Sequence, residues 1–302
     1  MKKPEKYKGV VVPVVTPSTA ANGLDELALG RMVDWLLAGG VEGVFVLGTT
    51  GEGIQAPKPL RCRVIELAAQ QAKKRGLIYA GLGDLAVKDF SAVNEYFRAG
   101  ADVLVAHPPV SNPVPAGELA GWFRQLLDSL KGPLILYNMP AIANVSIPLD
   151  AVEQLLGHPN LAGIKDSENN PKRHEELLRR FRGRPDFSVF VGVGALMEQG
   201  LKLGADGIVP SVGNLVPDAC HKFYDAAGSA DLTEAAKQIS RMNSVAALYQ
   251  TGRNLGQSLA ALKAALSCLG LCSTHVFPPL VALAESEIKT LRNQMHQLRL
   301  LD

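Results

Sequence analysis

The amino-acid sequence predicts a (β/α)8 barrel with a C-terminal helical extension. Eight short apolar segments alternate with amphipathic ones along most of the chain. The last part, from residue 231 to residue 302, is rich in Ala and Leu and has no strand pattern. A length of 302 residues suits one large α/β domain with a small appendage.

The eight predicted strands are short runs of β-branched and other apolar residues. They are nearly continuous in apolar character, which is typical of strands buried on both faces of a parallel sheet. They occupy residues 10–15, 43–47, 77–80, 102–106, 134–138, 161–165, 188–192 and 207–210. Strands that alternate with helices form right-handed βαβ units, and eight such units match a closed barrel.

Amphipathic helices are predicted between the strands. They occupy residues 26–37, 60–74, 90–98, 117–130 and 174–181. Glycines such as Gly40, Gly100 and Gly204 fit the position just after a helix, where a left-handed backbone conformation ends it.

The chain divides into two predicted regions. Residues 1–228 would form the barrel that carries the active site, and residues 229–302 would form a helical region packed on it. The second region has patterns for about three helices, at residues 232–249, 257–269 and 280–300. No low-complexity linker separates the two regions, so we expect the helices to dock on the barrel.

A short glycine motif offers a competing architecture. Residues 81–86 (Gly-Leu-Gly-Asp-Leu-Ala) follow a strand and fit the dinucleotide-binding fingerprint G-x-G-x-x-A. That fingerprint also needs an acidic residue at the far end of the next strand, whereas Asp102 lies at the start of its strand. The glycines therefore indicate a tight turn at the barrel mouth rather than a nucleotide site.

Composition excludes several classes of partner. Thirty-one basic residues against 29 acidic ones leave a formal charge of +2, without the basic stripe that phosphate backbones require. We therefore expect no nucleic-acid partner. No run of about 20 apolar residues is present, and the first apolar run is too short for a signal peptide, so we expect a cytoplasmic protein without membrane contact.

Structural zinc is not expected either. The four cysteines form no C-x-x-C pair, and the six histidines are scattered without H-E-x-x-H. Cys268 and Cys272 lie four residues apart, which in an apolar setting indicates two small buried side chains.

Chemistry in a barrel enzyme is found where strands end and the following loops begin. Lys165 ends the sixth predicted strand. A lysine there can simply extend to solvent. Alternatively it is a Schiff-base nucleophile, because an amine attacks a carbonyl only when unprotonated and an apolar barrel favours that form.

Five other residues at or just after strand ends carry polar groups. Tyr137 ends the fifth strand, where a phenol could transfer protons to and from an imine, although tyrosines at such positions also serve as packing residues. Thr49 and Thr50, flanked by glycines, offer hydroxyls and backbone N–H groups that suit a carboxylate. Glu52 is expected to cap backbone N–H groups, and His107, beside two prolines, to be structural.

Together these residues resemble the pyruvate-dependent class I aldolase family of dihydrodipicolinate synthase and N-acetylneuraminate lyase. The resemblance covers nearly the whole chain. It is carried by residues 11–17 (Val-Val-Pro-Val-Val-Thr-Pro), 48–52 (Gly-Thr-Thr-Gly-Glu), 137–140 (Tyr-Asn-Met-Pro), 163–166 (Gly-Ile-Lys-Asp) and 204–209 (Gly-Ala-Asp-Gly-Ile-Val).

The resemblance implies a role for each residue of the candidate site. Lys165 would form an imine with C2 of pyruvate or of a longer 2-oxo acid, and Tyr137 would transfer protons. Thr49 and Thr50 would hold the carboxylate, and Val209 would contribute backbone to the pocket. The family needs no metal or organic cofactor and is usually tetrameric, so we expect a homotetramer or dimer.

Two departures from the family pattern bear on the reaction. Family members carry a tyrosine just after the fourth strand that completes a hydroxyl relay across a subunit interface. Residues 107–112 (His-Pro-Pro-Val-Ser-Asn) contain none, so the relay is incomplete unless His107 or Ser111 substitutes. True dihydrodipicolinate synthases also carry an arginine after Tyr-Asn-x-Pro, where this chain has Ile142, which cannot clamp a carboxylate.

The favoured substrate is a 2-keto-3-deoxy sugar acid or a related 2-oxo acid. Sialate lyases have an aliphatic residue at the position of Ile142, and residues 165–167 (Lys-Asp-Ser) resemble the sugar-acid aldolases. The alternatives are 4-hydroxy-tetrahydrodipicolinate synthase, a dehydratase of the same family, and a non-catalytic protein that binds 2-oxo acids.

Overall fold

The computed structural model describes residues 7–85 and 90–301. Eight parallel strands form the sheet: β1 (Gly9–Pro13), β2 (Gly43–Val46), β3 (Leu77–Gly81), β4 (Val103–Ala106), β5 (Leu134–Asn138), β6 (Leu161–Asp166), β7 (Ser188–Val191) and β8 (Gly207–Ile208). Each strand pairs with the next in the chain, and β8 pairs with β1, so the sheet closes into a barrel. The predicted fold class is confirmed, and the open nucleotide-binding sheet is excluded.

Side chains fill the barrel interior below the strand ends. The Tyr79 ring lies between those of Tyr7 and Phe190, with centroids 6.1 Å and 6.3 Å away. Val11, Val103, Ile135 and Ala162 belong to the same interior cluster. Because the interior is packed, a substrate can reach the barrel only at its carboxyl-terminal mouth.

Nine helices precede the tail among the described residues. They are α1 (Glu26–Ala38), α2 (Lys58–Ala72), α3 (Glu95–Arg98), α4 (Leu119–Ser129), α5 (Pro140–Ala143), α6 (Leu149–Leu155), α7 (Pro171–Phe181), α8 (Met197–Lys202) and α9 (Pro217–Gly228). The predicted helices lie at their expected places in the chain. The end of the glycine motif at residues 81–86 lies outside the described residues.

Several helices begin at other residues than predicted. Helices α2 and α7 begin earlier because proline is tolerated in a first helical turn, and the Asn170 side chain caps α7 by accepting from the Arg173 N–H. Predicted helix 90–98 is instead one 3-10 turn, Ser91–Asn94, followed by the single turn of α3.

The C-terminal extension consists of three helices, as the sequence predicts: α10 (Leu232–Gln250), α11 (Leu255–Cys268) and α12 (Glu285–Gln297). Helix α10 packs against α9, and α11 and α12 follow in series. Asn254 and Gln257 form a reciprocal capping box that fixes the start of α11. In the described part of the chain, no helix has the length and apolarity needed to cross a membrane. The division after residue 228 stays a prediction.

Candidate active site

Lys165 lies near the carboxyl end of β6, in the mouth of the barrel. The residue is only 6% exposed, and its amine lies 3.9 Å from the centroid of the Tyr137 ring and 5.0 Å from that of Phe45. The small hollow around it is lined by Val11, Phe45, Tyr79, Val105, Ile135, Phe190 and Val209. The amine is therefore held against aromatic and aliphatic groups, as a Schiff-base lysine requires.

Tyr137 is the register partner of Lys165 across the β5–β6 ladder. Its buried hydroxyl lies 3.2 Å from the Thr49 hydroxyl. Burial alone would raise the pKa of Tyr137, but the positive charge of Lys165 and hydrogen bonds from Thr49, Lys165 and Ser167 outweigh it and lower the pKa. The phenol is therefore easier to deprotonate than in water, which suits proton transfer.

The turn that carries the threonines (residues 47–53) is folded tightly against the barrel. Leu47 and Glu52 both have positive φ, and a Cβ on Gly53 would fall 1.8 Å from the Leu47 carbonyl oxygen, so only glycine fits there. The Thr16 hydroxyl donates to the Gly51 carbonyl at 2.6 Å. These constraints place Thr49 beside Tyr137.

Thr50 and Val209 differ from Thr49 in which part of the site they line. Thr50 is buried in the same turn. It lines neither the hollow around Lys165 nor the cleft that adjoins this hollow and is described below. Val209 follows β8, donates its N–H to the Val191 carbonyl at 2.9 Å, and lines the hollow around Lys165. The structure thus brings together Lys165, Tyr137, Thr49 and Val209.

Ser167 and Gly192 are site residues to which the sequence analysis gave no role. A Cβ on Gly192 would fall 2.0 Å from the Ser167 hydroxyl and 3.0 Å from Cε of Lys165. The absence of a side chain at Gly192 therefore leaves space for both Lys165 and Ser167. The only sequence signal was the Lys-Asp-Ser run, because the contact depends on the pairing of β6 with β7.

A buried polar network fixes the ends of β5 and β6. Asp166 is fully buried and accepts from Asn138 Nδ2 at 3.0 Å and from Arg173 Nε at 2.8 Å. Burial would raise the pKa of Asp166, but the His174 hydrogen bond and the Arg173 charge lower it. Since Asn138 and Asp166 directly follow Tyr137 and Lys165, the network holds the two candidate catalytic side chains in register.

His107, after β4, lies beside Tyr137. Its ring lies edge-on to the Tyr137 ring, with centroids 6.2 Å apart, and its Nδ1 lies 2.7 Å from the Pro108 carbonyl oxygen. Burial, helped by the charge of Lys165, lowers the pKa of His107, so the ring is neutral. Ser111 is exposed, and its N–H donates to Asp84 at 3.0 Å.

A cleft of about 130 Å³ adjoins the hollow at Phe45 and Val105. Its polar walls include Thr49, His107 and Tyr137, and its apolar walls include Ile142 together with the tail residues Leu255, Leu259 and Leu280. The C-terminal region therefore forms part of the candidate site, which the sequence analysis had placed on the barrel alone.

A wider groove of about 550 Å³ includes Gly192, the glycine that lies next to the Lys165 side chain. It runs between the loops after β7 and β8 and helix α10. Its polar lining includes Ser211, Asn243, Tyr249, Gln250 and Thr251. Such a surface offers hydrogen bonds to a polyhydroxylated chain.

Glu52 caps a backbone N–H group, as expected. Its Oε2 accepts from the Phe277 N–H at 2.6 Å. Its Oε1 forms an ion pair with Lys263 on α11 at 2.5 Å, which the sequence did not reveal. Among the described residues, no group of three or more histidine, cysteine, aspartate and glutamate side chains is placed to hold a metal ion.

Comparison with known proteins identifies the family. Residues 6–298 match the model of the dihydrodipicolinate synthetase family. YagE of Escherichia coli (strain K12), named as a 2-dehydro-3-deoxy-D-gluconate aldolase, is 28% identical over 297 residues, which cover 97% of this chain and 98% of YagE.

Two solved structures show the same fold. The dihydrodipicolinate synthase of Bacteroides thetaiotaomicron has a TM-score of 0.91 at 31% identity and covers 97% of this chain and 99% of its own. The complex of YagE with pyruvate has a TM-score of 0.90 at 27% identity and covers 98% and 99%. The chain belongs to the dihydrodipicolinate synthetase family, whose members are lyases that act on pyruvate through a Schiff base.

Proposed function

We propose that this enzyme is a class I aldolase that makes or cleaves the bond between pyruvate and an aldehyde, with Lys165 as the nucleophile. The observation that carries the proposal is the placement of the Lys165 amine 3.9 Å from the Tyr137 ring, in a hollow of aromatic and aliphatic side chains. The Thr49 hydroxyl, 3.2 Å from that of Tyr137, adds a partner for proton transfer.

The reaction follows from this placement. The neutral amine of Lys165 attacks C2 of the 2-oxo acid and forms a carbinolamine, which loses water to give a protonated imine. In cleavage, the electron pair of the C3–C4 bond moves into this imine, the C4 hydroxyl loses its proton, and an aldehyde leaves. The remaining enamine takes up a proton at C3, and water then releases pyruvate. In synthesis, the enamine attacks the aldehyde instead.

The proton transfers are assigned to Tyr137. Its lowered pKa allows it to accept the proton of the C4 hydroxyl, and its hydrogen bond with Thr49 keeps the phenol oriented. The neutral His107 ring packs edge-on against it and restricts its position.

The carboxylate of the substrate is assigned to the turn of Thr49 and Thr50. Hydroxyl and backbone N–H groups in a tight turn bind a single carboxylate without a fixed positive charge. Val209 lines the hollow together with Lys165, and we assign its backbone to the pocket for the 2-oxo acid.

The proposed substrate is a 2-keto-3-deoxy sugar acid. Ile142, which lines the cleft, has no charged group that could bind a second carboxylate. This argues against aspartate semialdehyde as the acceptor. The groove that includes Gly192 provides hydroxyl and amide groups for the polyol part of such a substrate. YagE bears the name of an aldolase for this substrate class, but the 4-hydroxy-tetrahydrodipicolinate synthase of Herminiimonas arsenicoxydans is equally similar at 28% identity, so the choice of substrate rests on the residues of the cleft and groove. We further propose that the protein is cytoplasmic and that it forms a homotetramer or dimer. Sedimentation analysis would test the oligomeric state.

A substrate panel tests the proposal. We expect release of pyruvate from 2-keto-3-deoxy sugar acids, lost in Lys165→Ala and retained in Lys289→Ala, which changes an exposed lysine on α12. Condensation of pyruvate with aspartate semialdehyde, without sugar-acid cleavage, would assign the synthase reaction. Loss of water from the sugar acid without pyruvate release would assign a dehydratase. Pyruvate binding without turnover on any panel member would refute an aldolase.

A further inference from the structure

A second buried lysine, Lys263, connects the C-terminal helices to the turn that carries the threonines. Both Lys263 and Glu52 are 0% exposed, and their charged atoms lie 2.5 Å apart. The Lys263 amine also donates to the His275 carbonyl at 2.7 Å and to the Ser18 hydroxyl at 3.2 Å. The ammonium group thus has three oxygen partners.

The ion pair joins segments that are far apart in the chain. Glu52 belongs to the turn after β2, Lys263 to α11, and Phe277, whose N–H donates to Glu52, to the segment between α11 and α12. Burying two charges is unfavourable unless their geometry and hydrogen bonds are nearly complete. Burial raises the pKa of Glu52 and lowers that of Lys263, and their mutual attraction opposes both shifts.

The position of Glu52 is transmitted directly to Thr49. The Glu52 N–H donates to the Thr49 carbonyl at 3.1 Å, and the Gly53 N–H donates to the Gly48 carbonyl at 3.0 Å. The Thr49 hydroxyl in turn lies 3.2 Å from that of Tyr137. A displacement of the Glu52 carboxylate would therefore change the orientation of the Thr49 and Tyr137 hydroxyls.

Helix α11 contributes to the site in a second way. Leu259 lies one helical turn before Lys263, on the same side of α11, and lines the cleft beside Tyr137. Leu255 at the start of the helix lines it as well. The helix that holds Glu52 is thus also a wall of the cleft.

We propose that Lys263 is a positioning residue that acts through Glu52 to hold the Thr49 turn in the conformation that binds the substrate carboxylate. This inference rests on the proposed function. Lys263 does not touch the substrate; it fixes the group that orients the carboxylate site. We therefore expect the loss of the Lys263 charge to weaken pyruvate binding, independently of any effect on folding.

The test measures imine formation at increasing pyruvate concentration, with borohydride reduction and mass spectrometry of the full-length protein. In Lys263→Met the Glu52 carboxylate stays buried without its counter-charge. We expect the half-saturating pyruvate concentration to rise about tenfold or more. Lys289→Met, an exposed lysine on α12, is the matched control and should leave it unchanged.

Two further variants separate positioning from folding. Glu52→Gln/Lys263→Met removes both charges and keeps an oxygen for the Phe277 N–H, so the half-saturating concentration should return to within about threefold of the wild type. Lys263→Gln keeps a donor for Glu52 and serves if Lys263→Met does not fold. It should give an intermediate rise.

The outcomes distinguish the two proposals. Trapping of the wild type, with unchanged half-saturation in folded Lys263→Met or Lys263→Gln and only a lower melting temperature, would assign Lys263 a merely structural role and overturn the inference. The aldolase proposal would stand. No adduct on the wild type would refute both.

Discussion

Two lysines are buried among the residues that the structure describes, and their surroundings differ. Lys165 lies at the end of β6, where its amine faces the rings of Tyr137 and Phe45. Lys263 lies in the middle of α11, where its amine faces the Glu52 carboxylate at 2.5 Å and the His275 carbonyl at 2.7 Å. The Lys165 amine lies at a hollow that a substrate carbonyl can enter, whereas the Lys263 amine is enclosed by oxygen acceptors. The proposed roles, nucleophile for Lys165 and counter-ion for Lys263, follow from this difference in surroundings.

The largest expected difference between the two lysines concerns covalent chemistry. Lys165→Met should abolish borohydride-dependent attachment of pyruvate and lower kcat by more than about 10³-fold, because no other group replaces the nucleophile. Lys263→Met should still form the adduct when pyruvate is saturating. Both are measured by mass spectrometry and by pyruvate release. Equal loss of the adduct in the two variants would remove the distinction between the roles.

The second prediction concerns the proton transfers around Lys165. Tyr137→Phe removes the phenol hydroxyl and keeps the ring that packs against the Lys165 amine. We expect kcat to fall about 10²–10⁴-fold while the melting temperature changes little, because only the proton-transfer group is lost. Steady-state kinetics and thermal unfolding measure this. A kcat within a factor of two of the wild type would show that another group transfers the proton.

The third prediction concerns the space beside Lys165. Gly192→Ala would place a methyl group 3.0 Å from Cε of Lys165 and 2.0 Å from the Ser167 hydroxyl. Displacement of the nucleophile should lower kcat/KM about 10²-fold. Gly121→Ala, on the exposed side of α4 and outside the cleft and the groove, is the control, since its added methyl group meets nothing within 4 Å. Similar activities for the two variants would show that the amine does not need this space.

The smallest expected effect concerns the turn that Lys263 holds through Glu52. Thr16→Val removes the hydroxyl that donates to the Gly51 carbonyl at 2.6 Å and leaves that buried oxygen without this donor. The free energy of unfolding should fall by about 1–3 kcal/mol, and KM for the 2-oxo acid should rise about fivefold. Thr290→Val, on the exposed side of α12, provides the control. An unchanged KM would mean that the turn keeps its shape without this bond.

The sequence predicted the barrel well because its strands carry a local signal. Runs of β-branched residues bounded by glycine and polar residues mark each strand, and their alternation with helices fixes the topology. The predicted strand ends also identify Lys165 and Tyr137 as neighbours, because the carboxyl ends of consecutive parallel strands lie side by side. The predicted helix starts are less accurate, because the pattern of apolar residues does not show that the prolines in the first turn of α2 and α7 belong to the helix.

The residues that the sequence did not reveal depend on contacts between distant segments. The contact of Gly192 with Ser167 requires β6 and β7 to pair, and no local pattern shows it. Lys263 lies in an Ala- and Leu-rich segment whose pattern indicates only a buried helix. The ion pair with Glu52, in the turn that carries Thr49, becomes visible only when α11 is docked on the barrel. The tail consequently looked like an appendage, although its residues line the cleft.

The position of the covalent adduct tests directly whether Lys165 is the nucleophile. The wild-type protein is incubated with pyruvate, reduced with borohydride, digested and mapped by mass spectrometry. We expect a reduced pyruvyl adduct on Lys165 and an unmodified Lys263 in the same sample. An adduct on another lysine, or none under conditions that trap pyruvate on a known member of the family, would contradict this expectation.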